Sequence, residues 1–189
     1  DITLSDMKRS DRTFSTEHIF ALNITRLGDN IKTYFTEPSL YNKLELSTQS
    51  DNLFEGENDY RAKFVESKNI LTKLDQPKAE DGSVLQSKLQ RIPLIRISEM
   101  YYILTECKND NSYLSIVRGQ RGIESPINPA QVPSPLFMEM RKEFIGEGQF
   151  FFYCKRLNRP KIDNSNVGQI RYTLLMPENE INLGGRPRP

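Results

Sequence analysis

The chain has 189 residues and sets 26 basic side chains against 25 acidic ones, a formal net charge of +1. So even a balance argues against a surface built to neutralise phosphates or an anionic membrane, and no run of about 18 apolar residues is present to span a bilayer. A single histidine, His18, and two cysteines, Cys107 and Cys154, leave too few ligands for a zinc site of the usual Cys/His type; no metal and no cofactor is expected. The length suits one domain, residues 1–189, with a core of its own. The chain begins at Asp1 and not at Met, as a trimmed chain or a piece of a longer protein would.

Residues 1–16 are polar and read as an entering arm. HIFALNI, 18–24, is an apolar run of strand length. Residues 28–60 mix Gly, Asn, Asp, Ser and Pro with scattered aromatics, Tyr34, Phe35, Tyr41, Phe54 and Tyr60, and read as irregular loop. A second polar connection, 75–90, turns at Asp81-Gly82. PLIRISEMYYILTECK, 93–108, is expected to be a helix with Pro93 in its first turn. Ile97, Met100, Tyr101, Leu104 and Cys107 follow helical spacing and are expected to form its buried stripe, which Tyr102 and Ile103 widen so that the helix is expected to be buried on most sides. Arg96 and Glu99, three apart, can pair. Asn109-Asp110-Asn111 ends this helix. YLSIVRGQRG, 113–122, is a shorter segment, and the four prolines between 126 and 135 form a connector that cannot be helical.

Ser134-Pro135 supplies a cap and a first-turn proline for a helix expected to run to about Arg156. Pro160 stops it. IRYTLLMP, 170–177, has strand-like content, and 184–189 reads as a tail. The fold class is therefore mainly α, a loop-rich helical domain with at most a minor β element. Both cysteines fall in helix-like segments and are expected to be unpaired, buried thiols.

The long helix holds a conflict at RKEFIGEGQFFFYCKRL, 141–157. Gly146 and Gly148 each weaken a helix by about 1 kcal/mol relative to Ala, and Glu147 lies between them. At helical period Leu136, Met140, Phe144, Glu147, Phe151 and Cys154 share one side, so Glu147 points into a packed face. A carboxylate there needs a cation. The glycines imply that another segment lies close and brings one, with Arg96, Arg118 and Arg121 as the candidate partners. The alternative is a solvent-facing Glu147 at a kink between two shorter helices.

Four blocks in order then resemble a known family: RIPLIRISEMYYILTE (91–106), YLSIVRGQRGI (113–123), MRKEFIGEGQFFFYCKRLNR (140–159) and YTLLMPENEI (172–181). Upstream, EHIFALN (17–23) and DYRAKF (59–64) fit looser signatures. The set looks like the carboxy-terminal half of the SusD/RagB family, surface lipoproteins that accompany TonB-dependent nutrient transporters. The resemblance covers nearly the whole chain. It implies the C-terminal part of the SusD-like α-superhelix fold, without the helical-repeat amino-terminal half or the lipidated cysteine. It further implies a non-enzymatic protein at the outer-membrane cell surface that binds an oligosaccharide for a SusC-like transporter. A RagB-like peptide binder or a transporter-contacting scaffold is the alternative.

Aromatic rings that stack on sugars would be the binding device, and the loop residues Tyr34, Tyr41, Phe54 and Tyr60 are the candidates, with Arg61 as a polar clamp. The bland reading is that loop aromatics pin irregular segments to the core. Glu143 and Glu147, four apart, have the residue types of a glycosidase pair, although acids so spaced on a basic helix more often serve ion pairs. Arg141, Lys142, Lys155 and Arg156 read as a solvated basic face. Gly119-Gln120-Arg121-Gly122 matches the G-x-x-G loop of a nucleic-acid-binding module, but the even charge and the lack of a helix–strand frame oppose that reading.

Overall fold

The computed structural model describes residues 12–25, 27–31, 53–54, 58–66, 70–74, 91–130, 134–161, 172, 182 and 184. The expected strand at 170–177, apart from Tyr172, lies outside them, as do Tyr34 and Tyr41. The chain divides into two compact units, Asp1–Glu147 and Gly148–Pro189, where the sequence reading has one domain. The described residues are mainly α with a minor β element, as expected.

The first unit opens with a short 3-10 turn, Ser15–Glu17, and the strand β1, His18–Asn23. A short helix α1, Leu27–Ile31, follows. Next come a 3-10 turn, Tyr60–Phe64, and two short antiparallel strands, β2, Val65–Glu66, and β3, Ile70–Leu71. Asp59 caps the turn by accepting from the Arg61 N–H at 3.0 Å. Strand β4, Arg91–Arg96, pairs antiparallel with β1, His18 opposite Arg96 and Asn23 opposite Arg91, with irregularities around Phe20.

Helix α2, Ile97–Lys108, leaves β4 directly. Its start corrects the expectation of a helix from Pro93. That proline lies inside β4, where a two-stranded ribbon leaves each strand an open edge that tolerates a missing N–H. Asn109 closes α2 in the left-handed conformation, φ 52°. Asp110 then caps α3, Asn111–Gln120, by accepting from the Ser112 N–H at 2.9 Å. Helix α4, Pro135–Glu143, starts as its sequence predicts, with Ser134 as cap and Pro135 in the first turn.

The face of α2 is the main surprise. Ile97, Leu104 and Cys107 of the expected buried stripe are exposed, and the buried side carries Ser98, Tyr102 and Thr105. The reason is what the helix packs on. At Ser98 the inner neighbour is the Glu143 carboxylate, which calls for a small hydroxyl, Tyr102 packs edge-on against Phe144, and Thr105 returns its hydroxyl to the Tyr101 carbonyl. Apolar packing in the same unit includes buried Leu114, Val117, Phe137, Met140 and Phe144 and two further patches. Phe14, Phe64 and Leu71 form one, with Tyr60, Val65 and Ile145 against it. Leu27, Ile31 and Leu74 form the other, with Ile24 and Ile92.

The single helix expected from Ser134 to Arg156 is two. Helix α4 ends at Glu143, a turn follows, and α5, Gln149–Arg156, begins in the second unit. Gly146 and Gly148 sit at φ 74° and 86°, a region open to glycine at little cost. Within the second unit Phe151 packs on Tyr172, centroids 5.5 Å apart, and the Tyr172 hydroxyl donates to the Arg159 carbonyl at 2.7 Å.

Candidate functional site

Helix α4 projects Glu139 and Glu143 four residues apart, and Glu147 follows at the same interval. All three side chains are buried. Isolated carboxylates there would be strongly unfavourable, and the first unit meets them with cations from four other segments.

Arg61 is the hub. Its guanidinium donates to both Asp59 oxygens at 2.9 Å, to Glu139 Oε2 at 2.8 Å and to Glu143 Oε2 at 3.2 Å. Glu139 Oε1 also accepts from Arg118 Nη1 at 2.9 Å and contacts Lys142 Nζ. Glu143 accepts from Arg121 Nε at 3.1 Å and Nη2 at 2.8 Å, and from the Ser98 hydroxyl at 3.3 Å. Arg121 reaches onward to Glu17 in a two-pronged pair, 2.7 Å on each side. Its guanidinium lies 3.7 Å from the Phe14 ring centroid, a cation–π contact that occupies its face.

Glu147 meets Arg96 Nη2 at 3.1 Å and Lys73 Nζ at 2.5 Å. Both are ion pairs by distance, with angles outside hydrogen-bond geometry. Arg96 is therefore a partner, as one of the three anticipated arginines, and the buried reading of Glu147 holds together with the two-helix geometry of its alternative. The close approach is also real at one glycine. A Cβ on Gly146 would stand 2.1 Å from Leu71 Cδ2, whereas Gly148 has open space around it. The expected Arg96–Glu99 side-chain pair gives way to another arrangement. Arg96 turns its guanidinium to Glu143 and Glu147, and Glu99 engages the Arg96 backbone N–H. That is half of a capping box.

Electrostatics follow the geometry. Burial pushes the Glu143 carboxyl up, but Arg121, Arg96 and Arg61 together hold it well below the usual carboxylate range. Burial pushes Lys73 down to about 8, with Arg96 adding to it and Glu147 opposing. Burial and the Glu143 charge raise the Tyr102 phenol well above its ordinary value.

The sequence-predicted ligand residues fare differently. Phe54 is half-buried. Tyr60 is half-buried, packs on the Phe14–Phe64–Leu71 patch and fits closely under Gly122, as the pinning role predicts. Arg61 is fully buried and bound to carboxylates, so it is a structural cation and not an exposed clamp. Lys142, read as part of a solvated face, is buried too. Arg121 of the G-x-x-G match turns inward to Glu17 and Glu143. Sequence reasoning missed Lys73, Asp59 and Glu139. Only Glu139 carried a signal, the continued spacing of four ahead of Glu143 and Glu147.

Among the described residues no group of His, Cys, Asp and Glu is placed to hold a metal ion, and no helix is long and apolar enough to cross a membrane. Comparison of the chain with models of protein families, with curated proteins and with solved structures found no match.

Proposed function

We propose that the chain is the carboxy-terminal part of a SusD/RagB-like nutrient-capture protein, non-enzymatic, which binds an oligosaccharide for a TonB-dependent transporter at the outer-membrane cell surface. The observation that carries this reading is where the resembling blocks meet. Arg96 comes from the first block, Arg118 and Arg121 from the second, Glu143 and Glu147 from the third. All five enter one buried ion network. Residues that define an ordered pattern in sequence thus share one physical task, which is what a family signature demands.

The non-enzymatic part rests on the state of the acids. A glycosidase needs one carboxyl protonated and one ionised beside the substrate. Glu143 is buried and held ionised by three arginines, and Glu147 is buried against Lys73 and Arg96. A second reading, a scaffold that contacts the transporter and no nutrient, is favoured by the outward apolar residues Ile97, Ile103, Leu104 and Ile116.

Titration calorimetry against a panel of neutral oligosaccharides and short peptides tests the proposal, with product analysis on the same mixtures. Saturable heat with a glycan and intact ligand afterwards is the expected result. Heat with peptides alone moves the assignment to the peptide-binding branch, cleaved ligand overturns the non-enzymatic reading, and silence across the panel leaves only the scaffold.

A further inference from the structure

Helices α2 and α3 leave an open cavity of about 240 Å³ between them. We propose that it is a binding site for one neutral, hydroxyl-bearing ring, a single sugar residue of a longer glycan. This rests on the capture reading above and adds to it a place and a ligand class. Of the loop aromatics anticipated from sequence, the described Phe54 and Tyr60 do not line this cavity.

Size comes first. The volume lies below the roughly 300–1,000 Å³ of sites that enclose drug-sized ligands, so it takes one ring and leaves the rest of a chain outside. Charge comes second. The floor holds Arg121 and Glu17, but Arg121 is shared between Glu17 and Glu143. An anion finds a cation already engaged by two carboxylates, and a cation finds a carboxylate already engaged by Arg121. A neutral ligand is the class that this floor does not penalise.

Hydrogen-bond sense comes third. Each Glu17 oxygen accepts one bond from Arg121, and a carboxylate has about four acceptor positions. The Glu17 side chain keeps 23% exposure, so acceptor capacity remains on the open side. The Gln120 amide stands exposed at the rim. The floor therefore asks for donors, and ring hydroxyls supply them.

The walls decide the rest. Ile97 and Ile116 line the cavity while 45% and 48% exposed, and Tyr101 adds a half-buried ring. A pyranose presents C–H groups on its faces and hydroxyls at its edge, and so matches apolar walls over an accepting floor. A hydrocarbon side chain would suit the walls and desolvate Glu17 without returning a hydrogen bond.

The test is methyl NMR on isoleucine-labelled full chain, titrated with glucose, galactose, mannose, N-acetylglucosamine and their linear oligomers. The Ile97 and Ile116 methyls should move saturably with at least one sugar. Tyr101→Ala should weaken that binding by about tenfold, and Ile116→Glu, at an exposed position, should abolish it with the unfolding midpoint unchanged. Should either variant fail to fold, the parent titration decides alone. A sugar that shifts other resonances and spares these two overturns the site and leaves the capture reading standing. No response to any sugar overturns both. Undiminished binding by folded Tyr101→Ala, or preference for a uronic acid over its neutral parent, overturns the site or its neutral class.

Discussion

Lys73 makes the stability of this protein rise with pH, opposite to the usual expectation for an ion-paired lysine. Its ammonium is fully buried, facing Glu147, the Glu143 carbonyl, Arg96 and the Phe64 ring. Held at about 8 when folded, against 10.5 for an ordinary lysine, it releases its proton earlier in the folded chain than in the unfolded one. Between those values the unfolded state binds more protons, so the free energy of unfolding climbs as pH rises. Below 8 both states are protonated and the burial penalty is fully present. Between pH 7 and pH 9 the gain is about 1.3 kcal/mol. For a chain of this size that is a midpoint shift of roughly 3–5 °C. The Cys154 thiol, which burial pushes up, and the raised Tyr102 phenol act in the reverse sense only above their ordinary values of 9.0 and 10.0. Urea unfolding of the parent and of Lys73→Met at half-unit steps from pH 7 to 9 isolates the lysine. The parent should gain stability relative to the variant across the window. Parallel profiles would refute the account, since every other group is common to both chains.

Glu143→Gln removes the charge that faces Arg61, Arg96 and Arg121. Leaving buried cations uncompensated costs about 3–5 kcal/mol, so scanning calorimetry should show a midpoint lower by about 10 °C or more. The parent carboxylate, held low by those arginines, contributes stability that is present above its unfolded value of 4.5 and fades as pH falls through the folded one. The acid limb of the variant should accordingly be shallower in the same scans. Gly146→Ala carries both left-handed strain and the contact with buried Leu71, while Gly148→Ala carries strain alone, about 1–3 kcal/mol; denaturant midpoints should rank the first variant below the second. Of the two free cysteines, exposed Cys107 should react at once with a thiol reagent in native buffer, and buried Cys154 only on unfolding, as peptide mapping of the labelled chain would record.

What the sequence made legible was local. The Ser134-Pro135 start, the Asn109 stop and the twin glycines depend on backbone chemistry within a turn, and each holds. Glu147 was readable as buried because two glycines beside a carboxylate leave a residue that needs an offset, and Arg96 was near enough in pattern to be named. Lys73 and Asp59 were not readable. Asp59 lies in a polar stretch and Lys73 between Leu71 and Leu74, neither with a spacing that marks it, and only folding brings each beside α4. The inner face of α2 was misread for a related reason. Apolar spacing predicts which side is hydrocarbon, and it predicts burial only where the neighbour is hydrocarbon as well. Here the inner side meets the Glu143 carboxylate at Ser98 and the Phe144 ring at Tyr102, so those two go in and Ile97 and Leu104 stay out.

The depressed lysine and the crowded carboxylates are one phenomenon. Among the described residues the network joins Arg61, Lys73, Arg96, Arg118, Arg121 and Lys142 to Glu17, Asp59, Glu139, Glu143 and Glu147, six cations to five anions. Guanidiniums do not surrender a proton in any ordinary range, so a lysine is the cation of the network that can. Lys142 touches two carboxylates, Asp59 and Glu139. Lys73 pairs with Glu147 alone, and Glu147 is itself shared with Arg96. Burial loosens the Lys73 proton, to about 8, against the pull of Glu147 and Glu143. A buried lattice of this kind adds little net stability over a well-packed apolar core, yet losing any one partner is expensive. Its effect is to penalise every arrangement that brings these segments together in another register. That is how the network, beside the apolar packing of the unit, can hold α2, α3 and α4 in a single geometry and keep the cavity between α2 and α3 open.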